Sequence, residues 1–170
     1  MDLKNYISDV PDFPKEGIVF KDISPLLASP EATGHALELL SKGLHDIKAT
    51  KVVGIESRGF LFGTLLAQQL GLGFVPVRKP GKLPGNVLRE SYALEYGTDH
   101  IEIQADRIKQ GELVIVHDDI LATGGTASAA CRLIERCGGK VVQCNFLMEL
   151  GFLNGREQLK NYALHSLMHI

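Results

Sequence analysis

The chain has no tryptophan, and aromatic residues make up only 6% of its 170 residues. A surface on which many nucleic-acid bases stack is therefore not expected. An excess of charge of one sign is also lacking, since 18 basic residues against 20 acidic ones give a formal net charge of −2. This balance excludes a globally basic nucleic-acid-binding protein and an acidic disordered tail.

Cysteines and long hydrophobic runs are equally scarce. Cys131, Cys137 and Cys144 are odd in number and form no Cys-x-x-Cys motif, so a disulfide framework or a zinc knuckle is not expected. Buried, reduced thiols in a cytoplasmic protein are the simpler interpretation. No apolar stretch approaches the roughly 18 residues of a membrane span, and the N-terminal residues show no secretory signal pattern.

The order of strand-like and helix-like segments predicts an α/β fold. Residues 51–55 and 72–78 have strand character and flank a helical segment at 60–70. Residues 112–117 and 141–148 flank a second helical segment at 126–137 in the same way. Two such βαβ units imply an open, mostly parallel twisted sheet with helices on both faces. The length fits one domain of about 100–200 residues, so we expect residues 1–170 to form a single domain.

The prolines are concentrated in the first half of the chain. Residues 9–30 contain four of the seven, and we expect this N-terminal segment of about 30 residues to be extended and irregular rather than helical. Ser29 and Pro30 then suit the start of a helix whose apolar face carries Leu37, Leu40, Leu44 and Ile47.

Residues 79–97 form a long segment rich in glycine, proline and lysine, which is typical of a functional lid. Part of this segment is predicted to pair as a β-hairpin, because apolar and polar residues alternate there. The alternating apolar residues are Tyr92, Leu94 and Tyr96, followed by Ile101 and Ile103.

The most specific motif follows the strand at 112–117. Two carboxylates, Asp118 and Asp119, precede a loop of small residues, Ala-Thr-Gly-Gly-Thr, that leads into a helix. Small residues let backbone N–H groups approach a ligand, and the helix N-terminus adds a partial positive charge, so the loop suits a phosphate group. Adjacent side chains on an extended chain point to opposite sides, so the two aspartates are expected to have different roles.

A second loop, Glu56-Ser57-Arg58-Gly59, also follows a strand and precedes a helix. It adds a guanidinium group suited to bidentate phosphate contact. Because the C-terminal ends of parallel strands meet at one edge, both loops are expected to face the same ligand. A basic cluster in the lid, with Glu95 nearby as a candidate acid–base group, comprises Arg78, Lys79, Lys82 and Arg89. The six histidines show no metal-ligand spacing and are interpreted as structural or exposed.

These motifs resemble the type I phosphoribosyltransferases. The family signature of an apolar strand, two acids and a Thr-Gly-Gly-Thr loop corresponds to residues 114–126. Three further stretches resemble the adenine-specific branch of that family, and the resemblance runs from about Tyr6 onward in the family's order. They are residues 13–25 (the base-binding hood), 56–63 (the pyrophosphate loop) and 78–85 with 91–97 (the catalytic lid).

The resemblance implies transfer of a phosphoribosyl group from phosphoribosyl pyrophosphate to adenine, giving AMP and pyrophosphate with Mg²⁺ as cofactor. It also implies a cytoplasmic homodimer whose partners are these small molecules, with neither nucleic acid nor membrane among them. Two alternatives stay open. One is transfer to another purine base, and the other is a non-catalytic regulator that senses nucleotides, which could dispense with Glu95 and the lid lysines.

The resemblance also implies a role for each motif. The catalytic groups are Glu95, Asp118, Asp119 and Arg58, the aspartates stabilising positive charge on the ribose and Glu95 assisting proton transfer at the base. The 5′-phosphate is assigned to Ala122, Thr123, Gly124, Gly125 and Thr126. Pyrophosphate is assigned to Glu56, Ser57, Arg58, Arg78, Lys79 and Lys82, and adenine to Phe20 with the backbone groups of Val19 and Lys21. Magnesium is held mainly by substrate phosphates and water, with direct coordination by Asp118 or Asp119 left open.

One residue departs from the family pattern. His117 stands where the family more often has an apolar residue, directly before the two acids.

The near-zero net charge conceals an uneven distribution of charge along the chain. Residues 76–90 contain four basic residues and one acid, a local charge of +3, whereas residues 95–119 contain seven acids and two basic residues, a local charge of −5. The total charge therefore does not exclude an anionic ligand.

Overall fold

The computed structural model describes residues 1–93 and 97–170, and these residues divide into two compact units, Met1–Leu39 and Leu40–Ile170. The strands are β1 (Ser8–Pro11), β2 (Val19–Asp22), β3 (Lys51–Ile55), β4 (Gly73–Val77), β5 (Val87–Ala93), β6 (Thr98–Gln104), β7 (Leu113–Leu121), β8 (Lys140–Glu149) and β9 (Leu164–His169). The α-helices are α1 (Ser24–Ala28), α2 (Pro30–Ser41), α3 (Gly59–Leu70) and α4 (Gly125–Arg136).

The first unit is built around an antiparallel pair, in which β1 and β2 align Val10 with Phe20. The rings of Phe13 and Phe20 meet edge to face, with centroids 5.2 Å apart. The ammonium group of Lys21 lies 2.6 Å from the carboxylate of Asp9 on the neighbouring strand. These contacts give the proline-rich segment a defined conformation.

The second unit contains the predicted α/β sheet. Its five strands lie in the order β4-β3-β7-β8-β9, and every neighbouring pair is parallel. The β-branched residues of β3 are buried, as are Val114, Ile115 and Val116 of β7, which is expected for central strands covered on both faces. The prediction of a mostly parallel α/β sheet is confirmed.

Helices α3 and α4 cover opposite faces of this sheet. Val116 of β7 belongs to the hydrophobic core that includes Ala130 and Leu133 of α4. The next residue, His117, points to the other face, where its ring lies near Gly63 of α3. A Cβ atom at Gly63 would come within 3.0 Å of the Phe74 ring, so this glycine lets α3 pack closely on the sheet.

The predicted hairpin in the lid is present as β5 and β6, which pair in antiparallel register from Val87–Gln104 to Ala93–Thr98. Arginines of α4 attach this hairpin to the rest of the second unit. Arg132 and Arg136 lie 2.9 and 2.8 Å from the carboxylate of Glu90. Position 94, which the alternation also assigned to the hairpin, lies outside the described residues together with positions 95 and 96.

Several boundaries differ from the predicted ones. Residues 24–28 of the segment predicted to be irregular form α1, because Pro25 lies in the first helical turn, where its missing N–H group costs no hydrogen bond. Helix α2 ends at Ser41, before Gly43 with its φ of +83°, although Leu44 beyond it is still buried. Strand β9 was not predicted. None of the described helices is long and apolar enough to cross a membrane.

The cysteines are free thiols, as predicted. Cys131 and Cys144 are buried with their sulfur atoms 3.6 Å apart, and Cys137 is half-buried. The hydrogen bond with Cys144, together with burial, raises the pKa of Cys131, so its thiol stays protonated.

His117 forms a buried polar pair at the centre of the sheet. Its Nδ1 lies 3.0 Å from Oδ1 of Asn145, and the Asn145 amide donates to the Leu40 carbonyl at 3.3 Å. Among the described residues, Nε2 of His117 meets no hydrogen-bond partner. Burial accordingly lowers the pKa of His117 from 6.5 to about 4, so the ring is neutral at physiological pH.

This pair predicts a specific loss of stability in acid. The unfolded chain binds a proton at His117 below pH 6.5, whereas the folded chain resists protonation down to about pH 4. The free energy of unfolding should therefore fall between pH 6.5 and pH 4, by at most about 3 kcal/mol from this group. Urea unfolding across this range measures the loss.

The control for this prediction replaces both partners, His117→Val with Asn145→Val. Removing both polar groups leaves neither one unsatisfied. The double variant should lose much of the pH dependence between pH 6.5 and 4, while keeping the loss below pH 4.5 that arises from Glu149, whose pKa is lowered to about 2 beside Arg156 and His169. An unchanged profile between pH 6.5 and 4 would show that His117 is not buried as a neutral ring.

Candidate active site

The two predicted ligand-binding loops follow neighbouring strands. Strand β3 pairs with β7, aligning Gly54 with His117, so the loop after β3 and the end of β7 lie at the same edge of the sheet. This edge is formed by the C-terminal ends of parallel strands, where α/β sheets bind ligands. The peptide bond between Glu56 and Ser57 in the first loop is cis.

An ion pair joins the two loops. Nε of Arg58 lies 2.8 Å from Oδ2 of Asp119, whose side chain is only 3% exposed. Asp119 lies within β7, which extends to Leu121 rather than ending at His117 as the sequence suggested. The Arg58 guanidinium, 27% exposed, is thereby held at the sheet edge with part of its surface open to solvent.

Asp118 takes a different environment from its neighbour, as the alternation of an extended chain requires. It lines a cavity of about 140 Å³ together with Ala122, Thr123 and Thr126 of the small-residue loop. Burial and the adjacent charge of Asp119 raise the pKa of Asp118 well above its ordinary value. A positive charge that develops in this cavity would favour the ionised form of Asp118.

Gly59 allows α3 to begin directly against β7. A Cβ atom there would come within 2.7 Å of the Asp118 carboxylate and 3.0 Å of the His117 carbonyl. Such contacts are too short for a real side chain, so glycine is required for the first turn of α3 to lie beside the two acids. The positive end of the α3 dipole therefore lies near Asp118 and Asp119.

The small-residue loop leads into α4 as predicted. Gly124 precedes the helix with φ of +83°, a conformation that L residues rarely adopt. The first turn of α4 contains no acidic residue. Thr123 lines both the cavity beside Asp118 and a larger one of about 420 Å³ that reaches the β5–β6 hairpin.

Gly155, which the sequence analysis did not single out, supports this loop from behind. A Cβ atom at Gly124 would collide with the Gly155 carbonyl, and a Cβ atom at Gly155 would collide with the Ala122 carbonyl. The two glycines therefore permit a close backbone approach between residues 122–124 and the 3-10 helix Gly155–Leu159. The pattern Asn-Gly at 154–155 is an ordinary turn signal, so the sequence alone gives no sign of this contact.

The Glu56 side chain is hydrogen-bonded within the protein. Its carboxylate accepts hydrogen bonds from Nε and Nη2 of Arg78, both at 3.2 Å, and from the backbone N–H of Lys79 at 2.7 Å. These bonds lower the pKa of Glu56 despite its partial burial. The carboxylate therefore fixes the start of the basic segment beside the loop, whereas Ser57 is exposed at its tip.

The side chains of the basic cluster have different surroundings. Lys79 contacts Asp99 and Tyr92 of the hairpin, and Arg89 lies 2.6 Å from the buried carboxylate of Glu102. Lys82 is exposed. The structure thus brings Arg58, Asp118, Asp119 and the small-residue loop together at one edge of the second unit, with Glu56, Arg78 and Lys79 beside them.

Val19, Phe20 and Lys21 are in β2 of the first unit, where Val19 is exposed and the other two are half-buried. Glu95 lies outside the described residues.

Comparison with known proteins identifies the class. A family model described as a phosphoribosyl transferase domain matches residues 23–163. The chain is 58% identical to the adenine phosphoribosyltransferase of Christiangramia forsetii, over 99% of this chain and 98% of that protein.

Solved structures agree with this match. The adenine phosphoribosyltransferase of Thermoanaerobacter pseudethanolicus superposes with a TM-score of 0.97 at 49% identity, covering 99% of this chain and 98% of that one. The enzyme of Saccharomyces cerevisiae, solved with adenine and an imino-altritol bisphosphate, gives a TM-score of 0.91 at 45% identity, covering 97% and 96%. The chain belongs to the adenine phosphoribosyltransferase family.

The close approach behind the small-residue loop generates a prediction. Gly155→Ala should lower the free energy of unfolding by about 1–3 kcal/mol, because the new methyl group overpacks against the Ala122 carbonyl. Gly151→Ala is the matched control, since the nearest atom to its Cβ is 3.8 Å away. Urea unfolding of both variants measures the difference, and equal stabilities would contradict the contact.

Proposed function

We propose that this protein catalyses the salvage of adenine, transferring the phosphoribosyl group of phosphoribosyl pyrophosphate to N9 of the base. The C1′–N9 bond forms, the C1′–oxygen bond to pyrophosphate breaks, and the N9 proton leaves, giving AMP and pyrophosphate. The observation that carries this proposal is the ion pair between Arg58 and Asp119. It places a guanidinium group, suited to the pyrophosphate leaving group, beside two carboxylates suited to the ribose.

The 5′-phosphate is assigned to the small-residue loop. Backbone N–H groups at the start of α4 serve as donors, and the positive end of the helix dipole favours the dianion. The hydroxyl groups of Thr123 and Thr126 add further donors. The residues assigned to this phosphate are Ala122, Thr123, Gly124, Gly125 and Thr126.

Pyrophosphate is assigned to the loop after β3 and the basic segment that follows β4. Arg58 and Ser57 lie in the loop, and Glu56 fixes Arg78 and the Lys79 backbone beside it. Lys82 adds an exposed cation. Within this set Glu56 acts as a positioning residue, because a carboxylate repels phosphate and its oxygens already accept bonds from Arg78 and Lys79.

The two aspartates face the ribose in this proposal. Cleavage of the bond to pyrophosphate develops positive charge on the sugar ring, as in glycoside hydrolysis. The carboxylate of Asp118, in its partly buried cavity, stabilises that charge more strongly than it would in water. Asp119 holds the Arg58 guanidinium, and in return the guanidinium favours the charged form of Asp119.

Magnesium is the cofactor that this site suits. Asp118 and Asp119 offer carboxylate oxygens of the kind Mg²⁺ prefers, with substrate phosphates and water as its main ligands and direct coordination by either aspartate left open. When bound, Mg²⁺ neutralises charge on the departing pyrophosphate.

The base is assigned to the first unit. Phe20 offers an aromatic face, and the backbone groups of Val19 and Lys21 offer hydrogen bonds to the amino edge of adenine. Glu95 assists proton transfer at the base as the lid, residues 79–97, closes. Closure also excludes water, which would otherwise hydrolyse the donor.

We further propose that the protein is a cytoplasmic homodimer and that its partners are adenine and phosphoribosyl pyrophosphate rather than nucleic acid or membrane. The support for this is the family membership and the balanced net charge of −2. Residues 1–170 act as one phosphoribosyltransferase domain, with the hood at about 1–30.

An assay across purine bases tests the proposed substrate. Purified protein with phosphoribosyl pyrophosphate and Mg²⁺ should form AMP from adenine and far less product from hypoxanthine or guanine. Equal or greater turnover with either oxopurine would assign the enzyme to another base. Binding of AMP without turnover of any base would identify a nucleotide sensor.

Substitutions at the ion pair test the site assignment. Asp119→Asn or Arg58→Ala should each cost about 2–4 kcal/mol of transition-state stabilisation, the scale of one preorganised electrostatic group. This corresponds to a fall in kcat/KM of about 30- to 900-fold. Arg107→Ala, which removes an exposed arginine, is the control and should retain wild-type activity. Wild-type turnover in both site variants would overturn the assignment.

A further inference from the structure

The side chain of Lys79 is turned toward the hairpin. Its ammonium group hydrogen-bonds to Oδ2 of Asp99 and, at 2.8 Å, to the hydroxyl of Tyr92. It also lies 5.4 Å from the centre of the Tyr92 ring, within the range of a cation–π interaction. An ammonium group has three donors, and two of them are directed to these hairpin residues.

The backbone of Lys79, in contrast, is held beside the loop assigned to pyrophosphate. Its N–H donates to Glu56 at 2.7 Å, and the preceding Arg78 forms two backbone hydrogen bonds with Glu102, at 3.0 and 2.7 Å. The main chain therefore cannot move far without breaking these bonds. A lysine side chain is a flexible four-carbon stem, so rotation of the side chain alone can redirect its charge.

Asp99 differs from the carboxylates that hold the other cations of this segment. Glu102, which binds Arg89, is 2% exposed, and Glu56, which binds Arg78, is 17% exposed. The Asp99 side chain is 33% exposed and that of Lys79 is 43% exposed. An ion pair is worth less when its carboxylate is open to solvent. Because Asp99 is the most exposed of the three carboxylates, its contact with Lys79 is the most readily exchanged.

Asp99 also stays hydrogen-bonded when Lys79 leaves. Its Oδ1 accepts the backbone N–H of His100 at 2.7 Å, and its Oδ2 accepts the Tyr92 hydroxyl at 3.0 Å. The carboxylate can therefore release the ammonium group and still keep two donors. A polyphosphate offers the ammonium group more negative charge than one carboxylate does.

We propose that Asp99 is an internal competitor for the Lys79 ammonium group, which the pyrophosphate group of the substrate displaces. This inference rests on the proposed function, because it takes the loop at 56–58 as the pyrophosphate site. Asp99 thus lowers the affinity of the enzyme for pyrophosphate and for the pyrophosphate end of its substrate. It acts through Lys79 and is a positioning residue rather than a catalytic one.

The test uses the full chain with inorganic pyrophosphate and Mg²⁺ in a calorimetric binding experiment at low salt. Asp99→Asn removes the charge but keeps an acceptor for His100 and Tyr92. It should tighten pyrophosphate binding by about three- to five-fold, the scale of one exposed ion pair. Asp106→Asn is the matched control, because it changes the net charge equally at a carboxylate that is 69% exposed and paired only loosely with Arg107.

A double-mutant cycle separates competition from a structural role. In a Lys79→Gln background, Asp99→Asn should leave pyrophosphate affinity unchanged, because the ammonium group is already gone. In steady-state assays, Asp99→Asn should lower KM for phosphoribosyl pyrophosphate and leave KM for adenine unchanged. A merely structural role would move both constants.

The possible outcomes separate a failure of this inference from a failure of the proposed function. Wild-type protein that binds no pyrophosphate would overturn both. Wild-type binding that Asp99→Asn weakens or leaves unchanged would overturn the competition alone. An equal gain from Asp106→Asn would assign the effect to net charge, and an equal gain in the Lys79→Gln background would exclude Lys79 as the group that Asp99 restrains. Either result would overturn the proposal.

Discussion

The site depends on the ion pair between Arg58 and Asp119, which links the loops at the ends of two neighbouring strands. A carboxylate that is 3% exposed needs a partner, and the guanidinium 2.8 Å away supplies one. The pair is possible only because β3 and β7 are parallel and adjacent, so that both chains reach the same edge of the sheet. Asp118, beside this pair, has a pKa raised by burial and by the charge of Asp119, so a positive charge nearby would favour its ionised form.

Close backbone approach is the second requirement. Gly59 brings the first turn of α3 against the two acids, and Gly124 with Gly155 brings the small-residue loop against the chain behind it. In each case a side chain would occupy space that already holds a carbonyl or carboxylate oxygen. The positions of these loops are therefore fixed by packing of the main chain rather than by polar side chains.

The cations of the basic segment are anchored to different extents. Glu56 and the more deeply buried Glu102 hold Arg78 and Arg89, whereas the half-exposed Asp99 holds Lys79. The segment thus has an anchored backbone and at least one cation with an exchangeable partner. Three of the basic residues that give this segment its local charge of +3 form ion pairs in the folded chain. The carboxylates of these pairs differ in how far they are exposed to solvent.

Sequence patterns alone determined the parallel α/β sheet, the two loops that follow β3 and β7, the hairpin and the different orientations of Asp118 and Asp119. Each follows from local rules, namely period-two alternation, β-branched runs, and glycine or proline at turns. Strand β9, the Gly155 contact and the partners of Glu56 and Lys79 were decided only by the tertiary structure. These features depend on which distant segments meet: Gly124 and Gly155 are 31 residues apart, and Lys79 and Asp99 are 20 apart. Local propensity carries no information about such contacts, because they arise from the packing of the whole unit.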